Sequence, residues 1–186
     1  PDDHAAPGVT VDKVGLVFPV YAYGPPKPVC DFLQSGALPA ANYTYAVAVH
    51  GGGPANALHL LQQEFSALNR KLDAAFDIRQ PSNYITGADP GPAEKIERII
   101  AASRQPIGQM VSKIGSCTAQ PVVVSKNPLA RLKSGLIHRL FTAHRMEQGK
   151  KFRINTDCNS CGICAKVCPA ANISLNGNGK PCWSDH

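Results

Sequence analysis

The stretch that decides the fold class runs from Tyr43 to Ala57 and reads YTYAVAVHGGGPANA. Its first part, up to Val49, is a short apolar run rich in β-branched and aromatic residues, which is typical of a buried strand. Glycines end this strand after His50, and from Ala55 to Leu68 apolar residues recur at the spacing of an amphipathic helix. A strand, a glycine-rich loop and a helix in this order predict one unit of an α/β fold.

The same alternation of strand and helix extends in both directions along the chain. Upstream, Val11–Val20 predicts a strand, and Pro28 suits the first turn of a short helix. Downstream, Leu72–Ile78 predicts a third strand, and Glu94–Ile114 predicts a helix that Pro106 should kink or split. Strands that alternate with helices in this way predict a doubly wound parallel sheet with helices on both of its faces.

Two unusual loops follow the predicted strands. They are Pro19–Pro28, which is rich in proline and tyrosine, and His50–Asn56, which is rich in glycine. In open α/β sheets, ligands bind outside the carboxyl ends of the strands. We therefore expect a cofactor beside these two loops.

Basic residues are concentrated in one segment. The formal net charge is +6, and seven of the 19 Lys and Arg residues lie between positions 121 and 151, where Glu147 is the only acid. A helix is predicted from Asn127 and Pro128 to about His144, and we expect its apolar stripe to pack on the α/β domain. The stripe consists of Leu129, Leu132, Leu136, Leu140 and Phe141.

The exposed faces of this basic helix have two interpretations. Lys133, Arg139 and Arg145 would guide an acidic redox partner, or the charges would only keep the helix soluble. We expect an acidic protein rather than nucleic acid as the partner of this helix. No apolar run in the sequence has the length of a transmembrane segment.

The strongest chemical signal is a run of cysteines near the end of the chain. It reads Cys158-Asn-Ser-Cys161-Gly-Ile-Cys164-Ala-Lys-Val-Cys168-Pro169, which is the C-x2-C-x2-C-x3-C-P spacing of iron–sulfur ligands in bacterial ferredoxins. Short gaps let a tight loop point several thiolates toward one cluster. Structural zinc, the alternative, usually takes two ligand pairs separated by a longer loop. Cysteines this close together indicate a reducing, cytoplasmic compartment rather than disulfides.

The other cysteines and the residues after the run are less informative. Cys30 and Cys117 stand alone. Cys182 could supply a further cluster thiolate, but we expect it to be a single cysteine buried in a strand. That strand forms a predicted hairpin, in which Asn172–Leu175 pairs with Lys180–Trp183 across a glycine-containing turn. The histidines outside the loops are expected to be exposed; they are His4, His59, His138, His144 and His186.

Four stretches of the chain resemble the flavodoxin–ferredoxin fusion family, in which a flavodoxin-like domain precedes a bacterial-type ferredoxin domain. Phe18–Pro28 resembles the second flavin loop of the family, and His50–Ala57 resembles the third. Pro81–Ile85 resembles the loop after the next strand. The cysteine run, together with Lys180–Trp183, resembles the start of the ferredoxin half.

The resemblance implies that FMN binds beside three loops of the first domain. The residues it assigns to FMN are Pro19, Val20, Tyr21, Ala22, Tyr23, Gly24, His50, Gly51, Gly52, Gly53, Asn56, Asn83 and Tyr84. Tyr21 and Tyr23 would stack on the flat ring, and glycine N–H groups would reach its polar edge. The alternative is that the tyrosines pack in a core and the glycines only form tight turns.

The family also has a phosphate-binding loop upstream and a second cysteine run downstream, for two [4Fe-4S] clusters in all. We therefore expect the chain to be cut at both ends and to hold FMN weakly or not at all.

These patterns predict a two-domain electron-transfer protein. Residues 1–120 would form a partial flavodoxin-like domain, 121–151 a basic helix and linker, and 152–186 a partial ferredoxin-type α+β module. Cys158, Cys161, Cys164 and Cys168 would hold [4Fe-4S] clusters that exchange electrons with FMN and with redox protein partners. Two alternatives are a flavin-dependent reductase of a small substrate and a cofactor-free scaffold that docks a ferredoxin. A lipase-like role for His50–Gly53 is excluded, because the chain has no Gly-x-Ser-x-Gly elbow.

Overall fold

The computed structural model describes residues 10–82, 84, 89–124, 128–144 and 152–184, and within 128–144 it gives the backbone only for 128–131, 133, 143 and 144. The chain divides into two compact units, Pro1–His138 and Arg139–His186. Among the described residues, no helix combines the length and the apolar composition needed to cross a membrane.

The first unit is a mixed α/β structure built on a three-stranded parallel sheet with strand order β1-β2-β3. The predicted alternation of strands and helices is confirmed. In chain order the elements are β1 (Thr10–Pro19), α1 (Lys27–Gln34), β2 (Ala40–His50), α2 (Ala57–Ala67), β3 (Ala74–Arg79), α3 (Ala93–Gly115) and α4 (Pro128–His144), the last of which continues into the second unit.

One face of the sheet packs against α1 and α2. Side chains alternate between the faces of a strand, so Phe18 of β1 shares a face with Ala46 and Ala48 of β2. These residues form a buried cluster with Leu33 of α1 and with Leu61 and Phe65 of α2. The small alanines of β2 let the helices lie close to the sheet, and this packing fixes the register of the strands.

The opposite face of the sheet meets the end of α3. Lys13 and Tyr43 are register partners at the positions that alternate with the core residues. The Tyr43 hydroxyl donates to the Thr118 carbonyl at 2.8 Å, and Lys13 Nζ donates to the Gly115 carbonyl at 3.1 Å. Helices therefore lie on both faces of the sheet.

Pro106 was predicted to kink or split α3; the helix passes through it as one element, so the split is wrong and the kink stays a prediction. A proline inside a helix removes one backbone hydrogen bond and frees the carbonyl four residues earlier. Here that carbonyl belongs to Ala102, which is exposed, as is Pro106 itself. Water can satisfy the freed carbonyl, and the helix continues.

Helix α4 forms where it was predicted, but it presents a different face to the protein. Leu132, Leu136 and Leu140 are 70%, 55% and 52% exposed, so the prediction that they pack on the α/β domain is wrong. Ser134 is buried instead, and His138, one helical turn later, is half-buried. Of the rest of the predicted stripe, Phe141 is half-buried, and the side chain of Leu129 lies outside the described residues.

The second unit contains a short helix and a hairpin. They are α5 (Ile163–Val167), β4 (Ile173–Leu175) and β5 (Pro181–Trp183), and the two strands pair antiparallel as predicted. The Asn176 N–H donates to the Lys180 carbonyl at 2.8 Å and closes the turn. Cys182 lies in β5 but is exposed, so the expected burial is wrong, because a two-stranded sheet leaves one face to solvent.

Candidate functional site

The four cysteines of the run lie on one loop that continues into α5. Ser160 and Gly162 adopt left-handed conformations, with φ of 60° and 74°, and Gly162 is the residue from which α5 begins. The Cys161 N–H donates to Asn159 Oδ1 at 3.2 Å. These local constraints fold the chain back on itself between Cys158 and Cys164.

The hairpin braces this cysteine loop from the other side. Lys180 Nζ donates to the carbonyl of Cys158. Gly179 lies so close to Ser160 that a Cβ atom at position 179 would be 3.1 Å from the Ser160 Cβ. The cation of Lys180 therefore lies at the loop that carries the thiols.

The thiols of the run are not arranged as a complete set of metal ligands in this structure. Cys161 is exposed, Cys158, Cys164 and Cys168 are half-buried, and all are free thiols. Within the described ranges, no three His, Cys, Asp or Glu side chains are grouped closely enough to hold a metal ion. The donor set still fits an iron–sulfur cluster in its chemistry, since four thiols lie on eleven consecutive residues.

Several apolar side chains of the second unit are exposed. The Phe152 and Trp183 rings stack with their centroids 5.4 Å apart and an angle of 18° between the planes. Ile163 and Val167 of α5, four residues apart, are both exposed. The helix into which the cysteine loop continues therefore exposes apolar side chains.

The predicted flavin loop after β1 is a tight turn. The Tyr21 and Gly24 backbones exchange two hydrogen bonds of 2.9 Å, and Ala22 and Tyr23 between them have φ of 44° and 70°. Tyr21 and Tyr23 are 43% and 47% exposed, so they do not pack into the core. The Gly24 N–H is already engaged within the turn, and Gly24 is buried.

The loops after β2 and β3 meet at the same edge of the sheet. A Cβ on Gly51 would lie 3.0 Å from the Ser82 Cβ, whereas a Cβ on Gly52 or Gly53 would meet no atom within 4 Å. The two later glycines therefore border open space. Pro19 and Val20 lead into the turn after β1, and the Val20 N–H donates to the Val49 carbonyl at 2.8 Å.

His50, at the end of β2, is turned toward the interior. Its side chain is only 8% exposed, and its Nε2 lies 3.0 Å from Oδ2 of Asp77 in β3. The pair ties the carboxyl ends of two neighbouring strands together. A direct flavin contact by the His50 side chain stays a prediction.

The remaining predicted flavin residues are divided between buried and exposed positions. Asn56 is buried at the start of α2, and its carbonyl accepts from the Leu60 N–H at 2.8 Å. Tyr84 is exposed, and its N–H donates to Ser82 Oγ at 3.4 Å. Asn83 lies outside the described residues.

Two histidines expected at the surface are half-buried, and one of them contacts a predicted site. His138 Nδ1 lies 3.2 Å from the Tyr21 carbonyl, and His59 is half-buried within α2. His138 was not predicted as a site residue, because the leucines of α4 form the stronger periodic pattern. The only hint was the small polar face that Ser134 and His138 form four residues apart. The side chains of His4, His144 and His186 lie outside the described part.

A cavity of about 310 Å³ is separate from the predicted flavin contacts. It is lined by residues of α2, β3 and α3, including Leu58, Asp77, Met110 and Lys113. Neither the tyrosines of the turn nor Gly51–Gly53 line it. The exposed tyrosines and the open glycines therefore lie on a surface outside this cavity.

No protein-family model, no curated protein and no solved structure matches the chain.

Proposed function

We propose that the chain is an electron-transfer protein that holds an iron–sulfur cluster on the cysteine loop and FMN beside the loops of the first unit. The observation that carries the proposal is the C-x2-C-x2-C-x3-C-P run on a loop braced by Lys180. Thiols at these intervals are the donor set of ferredoxin clusters.

Cys158, Cys161 and Cys164 would hold one cluster, and Cys168, which follows α5, would serve a second one. When bound, a cluster supplies one-electron transfer. The chain contributes part of the environment, because Lys180 brings positive charge to the loop that carries the thiols. Charge, burial and hydrogen bonds to sulfur are the terms that set such potentials.

For FMN, the support is the shape and chemistry of the loops at one edge of the sheet. The strand order β1-β2-β3 with parallel pairing is what one half of a doubly wound sheet has. Tyr21 and Tyr23 expose ring faces suited to a flat apolar group, and Gly52 and Gly53 leave room for close approach. These residues would hold and orient the ring.

The experiment is anaerobic reconstitution with iron and sulfide, followed by metal and sulfide analysis. We expect iron and acid-labile sulfide in about equal amounts, as [4Fe-4S] requires. Cys161→Ser should lose most of both, whereas Cys117→Ser is the matched control, since Cys117 is an exposed thiol of the other unit. Tight zinc without labile sulfide, or equal loading of both variants, would contradict the proposal.

The redox partner stays a proposal of the same kind. Arg139 is exposed on α4, while the side chain of Lys133 and the whole of Arg145 lie outside the described residues. Charge on an exposed helix accelerates encounters with an acidic partner, and salt weakens that effect. We propose that a redox protein of acidic surface docks here, in a reducing compartment such as the cytoplasm.

A further inference from the structure

The turn from Tyr21 to Gly24 is strained at two successive residues. Ala22 and Tyr23 both have positive φ, the conformation of a type I′ turn, in which Asn and Gly are the preferred residues. A left-handed conformation is costly for residues that carry a Cβ, and such residues persist only where surrounding contacts fix them. The two hydrogen bonds of the turn are internal to it. A further contact from outside the turn is therefore expected.

His138 of α4 supplies that contact. Its Nδ1 lies 3.2 Å from the Tyr21 carbonyl, which also accepts from the Gly24 N–H. A carbonyl can only accept, so this hydrogen bond requires a hydrogen on Nδ1. The imidazole thus binds the turn at the oxygen that closes it.

The ring also lies directly against Gly24. A Cβ built on Gly24 would be 2.4 Å from His138 Cε1 and Nδ1, which is far inside contact distance. Gly24, Pro25 and Pro26 are all buried, whereas Tyr21 and Tyr23 remain exposed. One side of the turn is therefore covered, and its tyrosines face solvent.

The orientation of α4 agrees with this contact. The helix leaves Leu132, Leu136 and Leu140 exposed and turns Ser134 and His138 inward. Exposing an apolar stripe is unfavourable, so the contacts on the opposite face must offset it. The hydrogen bond to Tyr21 and the close packing on Gly24 are contacts of this kind.

We propose that His138 is a positioning residue that clamps the Tyr21–Gly24 turn and so holds Tyr21 and Tyr23 in place for the flavin ring, an inference that rests on the proposed FMN site. The role assigned to His138 is indirect. It acts through the turn, by fixing the Tyr21 carbonyl and covering Gly24. His138 is also the last residue of the first unit, and the rest of α4 belongs to the unit that carries the cysteines.

The test compares His138→Ala with His138→Asn, whose amide can replace the Nδ1 donor, and with Leu136→Ala as a control at an exposed site on the same helix. Amide hydrogen exchange at Tyr21 and Gly24 reports the turn. We expect exchange about tenfold faster in His138→Ala, from the loss of one hydrogen bond, with protection largely restored in His138→Asn. Leu136→Ala should exchange like the wild type.

FMN added to the full chain is the second readout, followed by the ring signals of Tyr21 and Tyr23 in NMR spectra. The apparent affinity should fall about threefold to tenfold in His138→Ala and recover in His138→Asn. Unchanged exchange at Tyr21 and Gly24 in His138→Ala overturns the clamp whatever FMN does. If the Tyr21 and Tyr23 ring signals of the wild type do not change when FMN is added, the proposed FMN site is wrong, and the positioning role with it. Amide exchange does not depend on FMN, so the two failures can be distinguished.

A double variant separates the contact from a general loss of folding. Gly24→Ala places a Cβ into the imidazole, so it should speed Tyr21 amide exchange strongly. In a His138→Ala background the obstructing ring is gone, and the same substitution should do much less. Equal effects of Gly24→Ala in both backgrounds would contradict the packing of His138 on the turn.

Discussion

The thiol of Cys30 should be distinctly less reactive than an ordinary cysteine. Cys30 is half-buried on α1, and burial raises the pKa of its thiol from 9.0 to about 11, with Glu64 and Asp31 adding to the shift. The thiolate is the reactive form, so a rise of about two units lowers its fraction roughly a hundredfold at about pH 8. A more basic thiolate is intrinsically more nucleophilic, and this raises the rate of its reaction about tenfold, which offsets part of the hundredfold decrease. The net expectation is alkylation about tenfold slower, before any steric hindrance.

The assay is pulse alkylation with iodoacetamide at about pH 8 in the absence of iron, with each cysteine peptide quantified by mass spectrometry. Cys117 is the internal control, because it is exposed in the same unit. The rate at Cys30 should keep rising with pH up to about pH 11, where its thiolate becomes the main form. Labelling of Cys30 as fast as Cys117 at every pH would refute the burial argument. Slow labelling would agree with a structural role for the Cys30 thiol.

Three further predictions concern the fold and the partner. Tyr43→Phe removes the hydroxyl that donates to the Thr118 carbonyl and should lower the free energy of unfolding by about 1 kcal/mol in urea denaturation, an unchanged midpoint being the contrary result. Burial acts to raise the pKa of Asp73, but its hydrogen bonds with Lys71 and the Thr44 N–H lower the pKa overall. The carboxylate therefore stabilises the fold above about pH 4, and this contribution disappears as the pH falls through the lowered pKa. Asp73→Asn should therefore be less stable than the wild type at neutral pH and unfold less steeply in acid, whereas parallel acid-unfolding curves would contradict this. Replacing Lys133, Arg139 and Arg145 by Gln should flatten the salt dependence of electron transfer to an acidic partner in stopped-flow mixing, and a rate indifferent to salt in both proteins would remove the steering hypothesis.

The sheet was predictable because its signals are local. β2 is an apolar run between turn residues, and α2 has the spacing of a helix with one buried face, so each element is specified by its own residues. The same holds for the hairpin of the second unit, whose glycine-containing turn separates two short strands. The continuity of α3 through Pro106 could not be predicted, because the penalty for a proline depends on whether the freed carbonyl is exposed to water, and the sequence does not reveal this.

The face of α4 could not be predicted for a different reason. Periodicity favoured the leucines, yet the contact that orients the helix depends on a turn more than a hundred residues away, at Tyr21–Gly24. Nothing in the local sequence marks Ala22 and Tyr23 as left-handed, since neither is a residue that prefers that conformation. The cysteine run, by contrast, was predicted from spacing alone, because the chemistry of a cluster imposes that spacing on any fold, and its role as a ligand set stays a prediction.

The most direct measurement of the central claim is a reductive titration of the reconstituted chain under anaerobic conditions. We predict a broad visible absorption that bleaches on uptake of about one electron per cluster and returns when a one-electron acceptor is added, with Cys161→Ser showing neither change. A metal-loaded wild-type chain that is colourless and takes up no electrons would contradict the claim and favour a structural zinc site.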